Sequence, residues 1–397
     1  MGHRVYTRAA LVSTNSITQG EQVAILWKPL FEKFDVHIDF AWRTFRWDSE
    51  SNQKAHVHCV IVGFSCRDAL NASADAKNAD ARGASLQRRI FNADGTIINA
   101  QNINAYLLDA PNIFIENRNQ SICDVPPLLT GSQRIDDNNY IFTEEEKIDF
   151  LKQEPQSEKY FHIWYGADEF INNRPRWVLY LGDCSPKEIK ELPLCLERVR
   201  RVKEYRLASN RTATVRAADT PNRFGLEVIP DTNFMIVPVV SSEKRLYVPI
   251  GFMTPDKMCS NQVNLIPSAT LYHFGVLTSS VHMAWMRAVC GRLKSDYRYS
   301  KDIVYNNFVW PEKIENEKLK IEKTAQAILD ARALYPDSSL ADLYDETLMP
   351  VELRKAHRAN DEAVLAAYGW ASTRGHAPLS EEEIVARLFE LYEKVVN

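Results

Sequence analysis

ALVSTNSITQGEQV, residues 10–23, is the stretch that decides the fold of the N-terminal part of the chain. Apolar side chains run without interruption through residues 9–12, which is typical of a parallel strand covered on both faces. Small hydroxyl and amide side chains then end the strand, and a helix is predicted from about residue 19 to residue 34. This stretch therefore predicts a strand and a helix of an α/β sheet.

Two further strands are predicted directly downstream of that helix. Residues 36–47 alternate aromatic and polar side chains, and residues 55–64 (AHVHCVIVGF) are β-branched and apolar. Strand, helix, strand, polar loop and strand form the closing edge of an α/β sheet, too small for a doubly wound domain of its own. We therefore expect residues 1–66 to be an incomplete α/β edge whose remaining strands lie upstream.

The rest of the chain divides into a mixed region and a helical region. Residues 71–85 are rich in Ala, Asp and Asn and predict an exposed linker. Residues 67–311 are expected to hold this linker and a mixed α/β domain, and residues 312–397 to form a small helical bundle. The predicted elements of the mixed domain are a hairpin at 89–98, helices at 143–153, 186–209 and 270–289, and strands at 161–165, 177–181, 234–240 and 246–253.

Composition predicts an ordinary globular protein of the cytoplasm. The 397 residues are 45% hydrophobic and 25% charged, with no apolar stretch approaching the roughly 20 residues that span a bilayer. The seven cysteines are scattered without a CxxC pair, so we expect reduced thiols rather than disulfides or a zinc site. His56 and His58 share one strand face but lack a third ligand, and no metal site is predicted.

The motifs of a complete cofactor site or catalytic centre are absent from the sequence. It contains no GxGxxG turn, no GxxxxGK[ST] loop and no Asn-Pro-Pro-aromatic tetrapeptide that would hold an exocyclic amine. Residues 124–128 (DVPPL) have the wrong order and no aromatic side chain, so a turn is predicted there. A PD-(D/E)xK nuclease centre is not spelled convincingly either. We therefore predict that this chain holds no complete active site.

One stretch of the chain is strongly basic, although the net charge of the whole chain is −4. Residues 197–223 carry eight cations against three anions, which a solvated helix face would explain. The excess of Arg over Lys and the polar tail Ser-Asn-Arg-Thr favour contacts with DNA phosphates instead. The predicted phosphate contacts are Arg200, Arg201, Lys203 and Arg211. If they form, the affinity for DNA should fall steeply with salt because neutralised phosphates release counterions.

Three segments, taken together, resemble the MmeI-like (type IIL) restriction–modification enzymes and their solitary relatives. The segments are ALVSTNSITQGEQV (10–23), the run from FAWRTFRW to CVIVGF (40–64) and the run from GRLKSDYRYS to IVYNNFVWP (291–311). The strand and helix at LVSTNSITQGEQV, the stretch PNIFIENR (111–118) and the third run are specific when they occur together. Members of that family are DNA adenine-N6 methyltransferases with a methyltransferase domain, a target recognition domain and a C-terminal helical domain. The resemblance covers nearly the whole chain. It implies these domains at 1–66 (incomplete), 67–311 (with the linker) and 312–397.

The resemblance also implies double-stranded DNA as the partner and S-adenosylmethionine as the cofactor of the full-length protein. The cofactor glycines, the catalytic motif and a nuclease domain have no counterpart here. We therefore expect this chain alone neither to bind the cofactor nor to transfer methyl groups, and an N-terminal methyltransferase region, with or without a nuclease, to be missing. No membrane partner is expected.

Two other functions stay open. The chain could be a stand-alone DNA-binding specificity subunit without its own catalysis, and an upstream frame encoding Asn-Pro-Pro-Tyr/Phe would decide against that. A protein-binding scaffold built on the helical tail would show no salt-dependent affinity for DNA.

The segment 291–301 contains side chains that match base edges. Lys294 offers donors for guanine O6 and N7, and Asp296 accepts from the cytosine N4 amine, so together they could read one G·C pair. Arg298 has a forked guanidinium suited to guanine or to phosphate. The resemblance supports base readout by this segment, with Arg292 and Lys301 on the DNA backbone. The alternative is an ordinary solvated pair of surface charges.

Aromatic and amide side chains elsewhere gain a role from the same resemblance. A methyltransferase that acts on duplex DNA turns its target base out of the stack, and Phe45, with Trp47 as second choice, is predicted to stack on that adenine. The alternative is that both rings fill the packing surface of the sheet. Asn261 and Gln262 are predicted to add a second readout segment, because an amide can bond adenine N6 and N7 together.

Overall fold

The computed structural model describes residues 7–48, 56–66, 87–312, 314–371 and 379–396. In this part of the chain the strands are β1 (Thr7–Thr14), β2 (Val36–Asp48), β3 (His56–Cys66), β4 (Arg88–Phe91), β5 (Ile97–Ala100), β6 (Leu129–Thr130), β7 (Ile141–Phe142), β8 (Phe161–Tyr165), β9 (Arg176–Leu179), β10 (Phe234–Pro238), β11 (Val240–Ser241), β12 (Gly251–Met253), β13 (Lys257–Cys259), β14 (Val263–Pro267), β15 (Gly291–Leu293) and β16 (Asp296–Arg298). The helices are α1 (Glu21–Phe34), α2 (Glu144–Gln153), α3 (Ala167–Ile171), α4 (Pro186–Glu191), α5 (Pro193–Leu207), α6 (Thr212–Arg216), α7 (Leu271–Leu277), α8 (Ser280–Val289), α9 (Glu315–Ala333), α10 (Leu340–Leu343), α11 (Val351–Ala367) and α12 (Glu381–Val396).

The chain forms two compact units, and each is built from more than one stretch of sequence. Unit 1 comprises residues 1–125, 279–314 and 364–397, and unit 2 comprises residues 126–278 and 315–363. The domain boundaries at 66/67 and 311/312 stay a prediction.

Unit 1 contains a five-stranded sheet in the order β1-β3-β2-β4-β5. β3 pairs antiparallel with both β1 and β2, and β4 runs parallel to β2. α1 follows β1 as predicted and buries Val23 and Trp27, whose indole Nε1 donates to the Ile17 carbonyl at 2.7 Å. The predicted hairpin at 89–98 is confirmed as β4 and β5, with Gly95 at φ +86° in its turn. The predicted linker at 71–85 lies outside the described residues.

β1 pairs antiparallel within the described residues, whereas its apolar sequence predicts a parallel strand covered on both faces. It runs antiparallel to β3, and none of the described strands pairs with its other edge. Successive side chains on a strand point to opposite faces, yet the neighbours Leu11 and Val12 are 58% and 57% exposed. The predicted parallel neighbour and the cover of both faces concern the strands expected upstream, so they stay a prediction.

Unit 2 is built on two four-stranded sheets, β12-β10-β14-β6 and β13-β8-β9-β7. The buried side chains of β8 and β9 pack with those of α2 and α5, whereas β10 and β14 pack with α3. The predicted capping box of α2 is confirmed. Thr143 Oγ1 accepts from the Glu146 amide at 3.2 Å, and the Glu146 carboxylate accepts from the Thr143 amide at 2.8 Å.

Three predicted elements of the mixed domain are broken into shorter pieces. The helix expected at 270–289 is α7 and α8, interrupted where Ser279 Oγ caps α8 by accepting from the His282 amide. The helix expected at 186–209 is α4 and α5, because Pro193 lacks an amide hydrogen and starts a new helix. Of the strand expected at 246–253, only residues 251–253 are extended.

The C-terminal helical region is confirmed as α9 to α12. α9 packs against α7 within unit 2, and α12 packs against α8 within unit 1. α12 buries one apolar face that includes Ile384, Leu388 and Phe389. No helix within the described ranges is long and apolar enough to cross a membrane.

Candidate nucleic-acid interface

Residues 291–298 form a tight hairpin in unit 1 rather than a loop. β15 and β16 pair antiparallel through a two-residue connection, Lys294 and Ser295. Lys294 has φ +59°, a left-handed backbone conformation that glycine usually occupies in such turns. The hairpin therefore holds an exposed lysine at its tip at a cost in backbone energy of order 1–3 kcal/mol.

One face of this hairpin carries the other two predicted base-reading side chains. The register pairs Leu293 with Asp296 and Gly291 with Arg298, so Asp296 and Arg298 lie on the same face. Arg298 is exposed and Asp296 is half-buried. The structure thus brings Lys294, Asp296 and Arg298 together at the tip and along one face of a short ribbon.

The two predicted phosphate contacts near the hairpin also make contacts within unit 1. Arg292 lies on the opposite face from Asp296, with its guanidinium carbon 3.9 Å from the centroid of the Tyr297 ring. Its Nη1 donates to the Ser295 carbonyl at 2.9 Å and so braces the turn. Lys301 is 35% exposed at the start of a short π-helix, and its Nζ lies 3.5 Å from the Asp302 carboxylate.

The segments that carry the family resemblance hold one another in place. The Gly20 amide donates to the Val289 carbonyl at 3.2 Å, and a Cβ at Gly20 would lie 3.3 Å from the Gly291 backbone. The Asn306 side-chain amide donates to the Arg118 carbonyl at 2.6 Å. The Asn117 side-chain amide donates to the Glu21 carboxylate at 2.8 Å, so residues 11–23, 111–118 and 291–311 are linked by hydrogen bonds.

Phe45 and Trp47 lie near the end of β2 in the same unit. Their ring centroids are 6.3 Å apart and their planes are tilted by 50°. Phe45 pairs with Cys59 just after an irregularity in the β2–β3 register. Trp47 is 55% exposed and Phe45 is half-buried, so both rings are partly accessible.

In unit 2, Asn261 and Gln262 are exposed in the turn between β13 and β14. Two glycines allow this turn to lie close to its neighbours. A Cβ at Gly131 would lie 2.2 Å from the Ser260 carbonyl oxygen, and a Cβ at Gly166 would lie 2.7 Å from the Gln262 side-chain oxygen. The close approach of backbone to backbone at Gly131 fixes the main chain from which both amide side chains project.

A polar recess of about 330 Å³ lies beside this turn, and the sequence did not reveal it. Arg134 pairs with Asp136 at 2.8 Å along its wall, and Tyr205 of α5 lines the recess while 44% exposed. Ile135 has φ +51°, which is strained for a β-branched residue. The buried Arg206 donates to the Ile135 carbonyl at 2.8 Å and helps to hold this conformation. The only sequence signal is the polar run Arg-Ile-Asp-Asp-Asn.

The predicted phosphate contacts of unit 2 are all exposed. Arg200, Arg201 and Lys203 lie on α5, and Arg211 directly precedes α6. Arg201 pairs with Glu197 one helical turn earlier at 3.0 Å. The basic window is less available than its charge suggests, because Arg206 is 0% exposed and donates its hydrogen bonds to main-chain carbonyls.

Two features bear on the expectations from the sequence for a metal ion and a cofactor, namely the possible metal ligands and the turn between β1 and α1. No group of three or more His, Cys, Asp or Glu residues is positioned to hold a metal in this part of the chain, and the His56 side chain lies outside it. Between β1 and α1 there is one glycine, Gly20, and it lies against the Gly291 backbone.

Comparison with known proteins places these features in one class, proteins that modify or recognise DNA. Three family models match consecutive parts of the chain: MmeI, DNA-methyltransferase domain, over residues 2–75; MmeI, target recognition domain, over 109–312; and MmeI, C-terminal domain, over 314–397. The chain belongs to the MmeI family.

Two relatives show how much of a full-length protein the chain represents. DNA methyltransferase A of Bacillus subtilis (strain 168) is 38% identical over 391 residues, which are 98% of this chain and 42% of that protein. The solved structure of the type IIL restriction-modification enzyme MmeI in complex with DNA is 43% identical with a TM-score of 0.88. The match covers 98% of this chain and 50% of that one. The chain thus spans half or less of the length of these relatives.

Proposed function

We propose that this chain recognises a short, asymmetric sequence in duplex DNA and supplies the reading part of an adenine-N6 DNA methyltransferase. The hairpin β15–β16 carries the proposal. It presents a cation at its tip and an anion and a cation on one face, and such groups match the donors and acceptors of base edges in the major groove. Similarity to the MmeI–DNA complex supports DNA as the ligand.

Base discrimination belongs to side chains whose chemistry matches base edges. Lys294 donates to guanine and Asp296 accepts from the cytosine of the same pair, a combination that contributes about 1–3 kcal/mol of discrimination per good contact. Arg298, Asn261 and Gln262 read further positions. The exposed cations of α5, together with Arg211, Arg292 and Lys301, contact phosphates and carry no sequence information.

The half-buried Phe45 stacks on the adenine that leaves the duplex, and Trp47 lies beside it on the same strand. Methyl transfer itself requires S-adenosylmethionine and catalytic residues of the full-length enzyme, supplied by an upstream methyltransferase region. The open edge of β1, with exposed Leu11 and Val12, supports a partner element there. The chain by itself neither binds the cofactor nor catalyses the reaction.

The proposal is tested first by selecting duplexes from a randomised pool with the purified 397-residue chain at moderate salt. We expect enrichment of one short asymmetric motif. An unenriched pool together with negligible binding at low salt would contradict DNA recognition and would favour a scaffold function for the helical region.

A double swap then assigns the hairpin to one base pair. Lys294→Glu with Asp296→Arg exchanges the acceptor and the donor, so the selected motif should change from G·C to C·G at one position and nowhere else. The matched control is Lys152→Glu with Asp149→Arg, which exchanges the same charges at an exposed pair on α2. An unchanged motif in the hairpin variant would remove Lys294 and Asp296 from base readout.

A further inference from the structure

A recess of about 450 Å³ in unit 1 lies between the two segments to which we assign base readout and base stacking. Arg292 and Tyr297 of the hairpin line one side, and Thr44, the neighbour of Phe45 on β2, lines another. The recess is also lined by two arginines, Arg43 and Arg287, that sequence reasoning did not single out. Its position makes it the natural path for the DNA backbone beside an extruded base.

Both arginines meet carboxylates from the first turn of α12. Nε and Nη2 of Arg287 bond both oxygens of Glu381 at 2.9–3.1 Å, a two-pronged geometry. Nη1 of Arg43 donates to Glu382, and its Nε donates to the Leu107 carbonyl at 2.9 Å. Arg287 thus faces two carboxylate oxygens of α12, and Arg43 faces one.

One N–H donor of Arg43 is not used by these hydrogen bonds. Nη2 of Arg43 is buried and has no hydrogen-bond partner among the described residues. A buried unsatisfied donor is costly and calls for a further acceptor. The Glu381 and Glu382 side chains are 49% and 40% exposed, so a competing anion in solution can approach both carboxylates. Another anion that offers the same oxygens can therefore replace them at the two arginines.

We propose that Arg43 and Arg287 form a phosphate-binding site for duplex DNA, and that Glu381 and Glu382 occupy it when DNA is absent. A phosphodiester presents two non-bridging oxygens with one negative charge. The forked guanidinium of an arginine can donate two hydrogen bonds to these oxygens, as it does to a carboxylate. The first turn of α12 then acts as an internal competitor for the DNA backbone. This inference rests on the proposed function.

The test compares two double variants of α12 that remove the same charge. Glu381→Gln with Glu382→Gln removes the competitor, whereas Glu390→Gln with Glu393→Gln removes two exposed carboxylates further along the same helix. The affinity of each for the selected duplex is measured between 50 and 200 mM salt, together with the melting temperature. We expect the first variant to bind about three- to tenfold more tightly than the second.

The reverse change supports the assignment of the arginines. Arg43→Gln with Arg287→Gln should weaken binding of every duplex alike and leave the selected motif unchanged, as expected of phosphate contacts. Equal binding by the two glutamate variants, or weaker binding by Glu381→Gln/Glu382→Gln with a lowered melting temperature, overturns the inference and makes these ion pairs structural. If the unaltered chain binds no duplex, the proposed function fails and this inference with it.

Discussion

At the scale of single residues, Lys294 has a strained backbone conformation and lies at the tip of the proposed base-reading hairpin. A lysine in a left-handed conformation is unfavourable compared with glycine, and the two-residue connection of the hairpin offers no relief. Strained conformations persist where the surrounding structure fixes them, and they cluster at sites of function. Arg292 provides that fixation by donating to the Ser295 carbonyl and packing on Tyr297.

This strain predicts opposite effects on stability and on recognition. Lys294→Gly should leave the free energy of unfolding unchanged or raise it by up to about 1 kcal/mol, since relief of strain outweighs the added freedom of the unfolded chain. The same variant should lose preference at one base pair of the selected motif. Urea unfolding and duplex selection measure the two effects, and a clear loss of stability would contradict the strain argument.

The sequence could indicate this cluster because Lys294, Asp296 and Arg298 alternate within five residues. Side chains brought together only by tertiary folding gave no such signal. Arg43 and Arg287 are 244 positions apart in the sequence and meet only through the recess they line. Arg206 belongs to a basic run yet is fully buried, because five main-chain carbonyl oxygens surround its guanidinium.

At the scale of elements, the sequence predicted those features of helices and strands that depend on contacts between residues close in the chain. The α2 capping box is a contact within four residues and was predicted correctly. The break between α7 and α8 was missed, because helical spacing of apolar residues continues across it and only the cap at Ser279 ends the pattern. The antiparallel pairing of β1 with β3 was not predicted, because a strand's neighbours are set by distant parts of the chain.

Helix α5 allows a second test at this scale. Arg200→Gln with Lys203→Gln removes two exposed cations, so the slope of log affinity against log salt should become shallower by about 2. The selected motif should not change, since phosphate contacts carry no sequence information. Lys187→Gln with Lys190→Gln on α4 is the charge-matched control. Equal slopes for both variants would assign the α5 cations to a solvated surface.

At the scale of the whole molecule, each unit encloses a neutral histidine. His282 in unit 1 is fully buried with Nε2 2.8 Å from the Tyr299 hydroxyl, and burial lowers its pKa to about 3. His357 in unit 2 stacks on Tyr247, and burial together with the charge of Arg332 lowers its pKa well below the ordinary value. Both imidazoles are therefore uncharged in the folded protein at neutral pH.

These two histidines predict how stability depends on pH. The unfolded chain takes up their protons below about pH 6.5 and the folded chain does not, so acidification favours unfolding. Stability from each histidine is fully present above pH 6.5 and falls by about 1.4 kcal/mol per pH unit below it.

Urea unfolding between pH 7 and 5.5 measures this slope for the unaltered chain and for His282→Gln. The variant should lose the part of the pH dependence of stability that His282 contributes. A slope that is identical in the two proteins would mean that His282 is protonated in the folded state.

The interleaving of the two units has a consequence for synthesis on the ribosome. The chain passes between units four times, and the strands of residues 7–100 share unit 1 with residues 279–314 and 364–397. Domains commonly fold in order as they emerge, but here the strands of residues 7–100 belong to the same unit as α12, which is translated after all of unit 2. Unit 1 can therefore complete its fold only after unit 2 has been synthesised, and α12, which carries the carboxylates of the arginine recess, joins it after that.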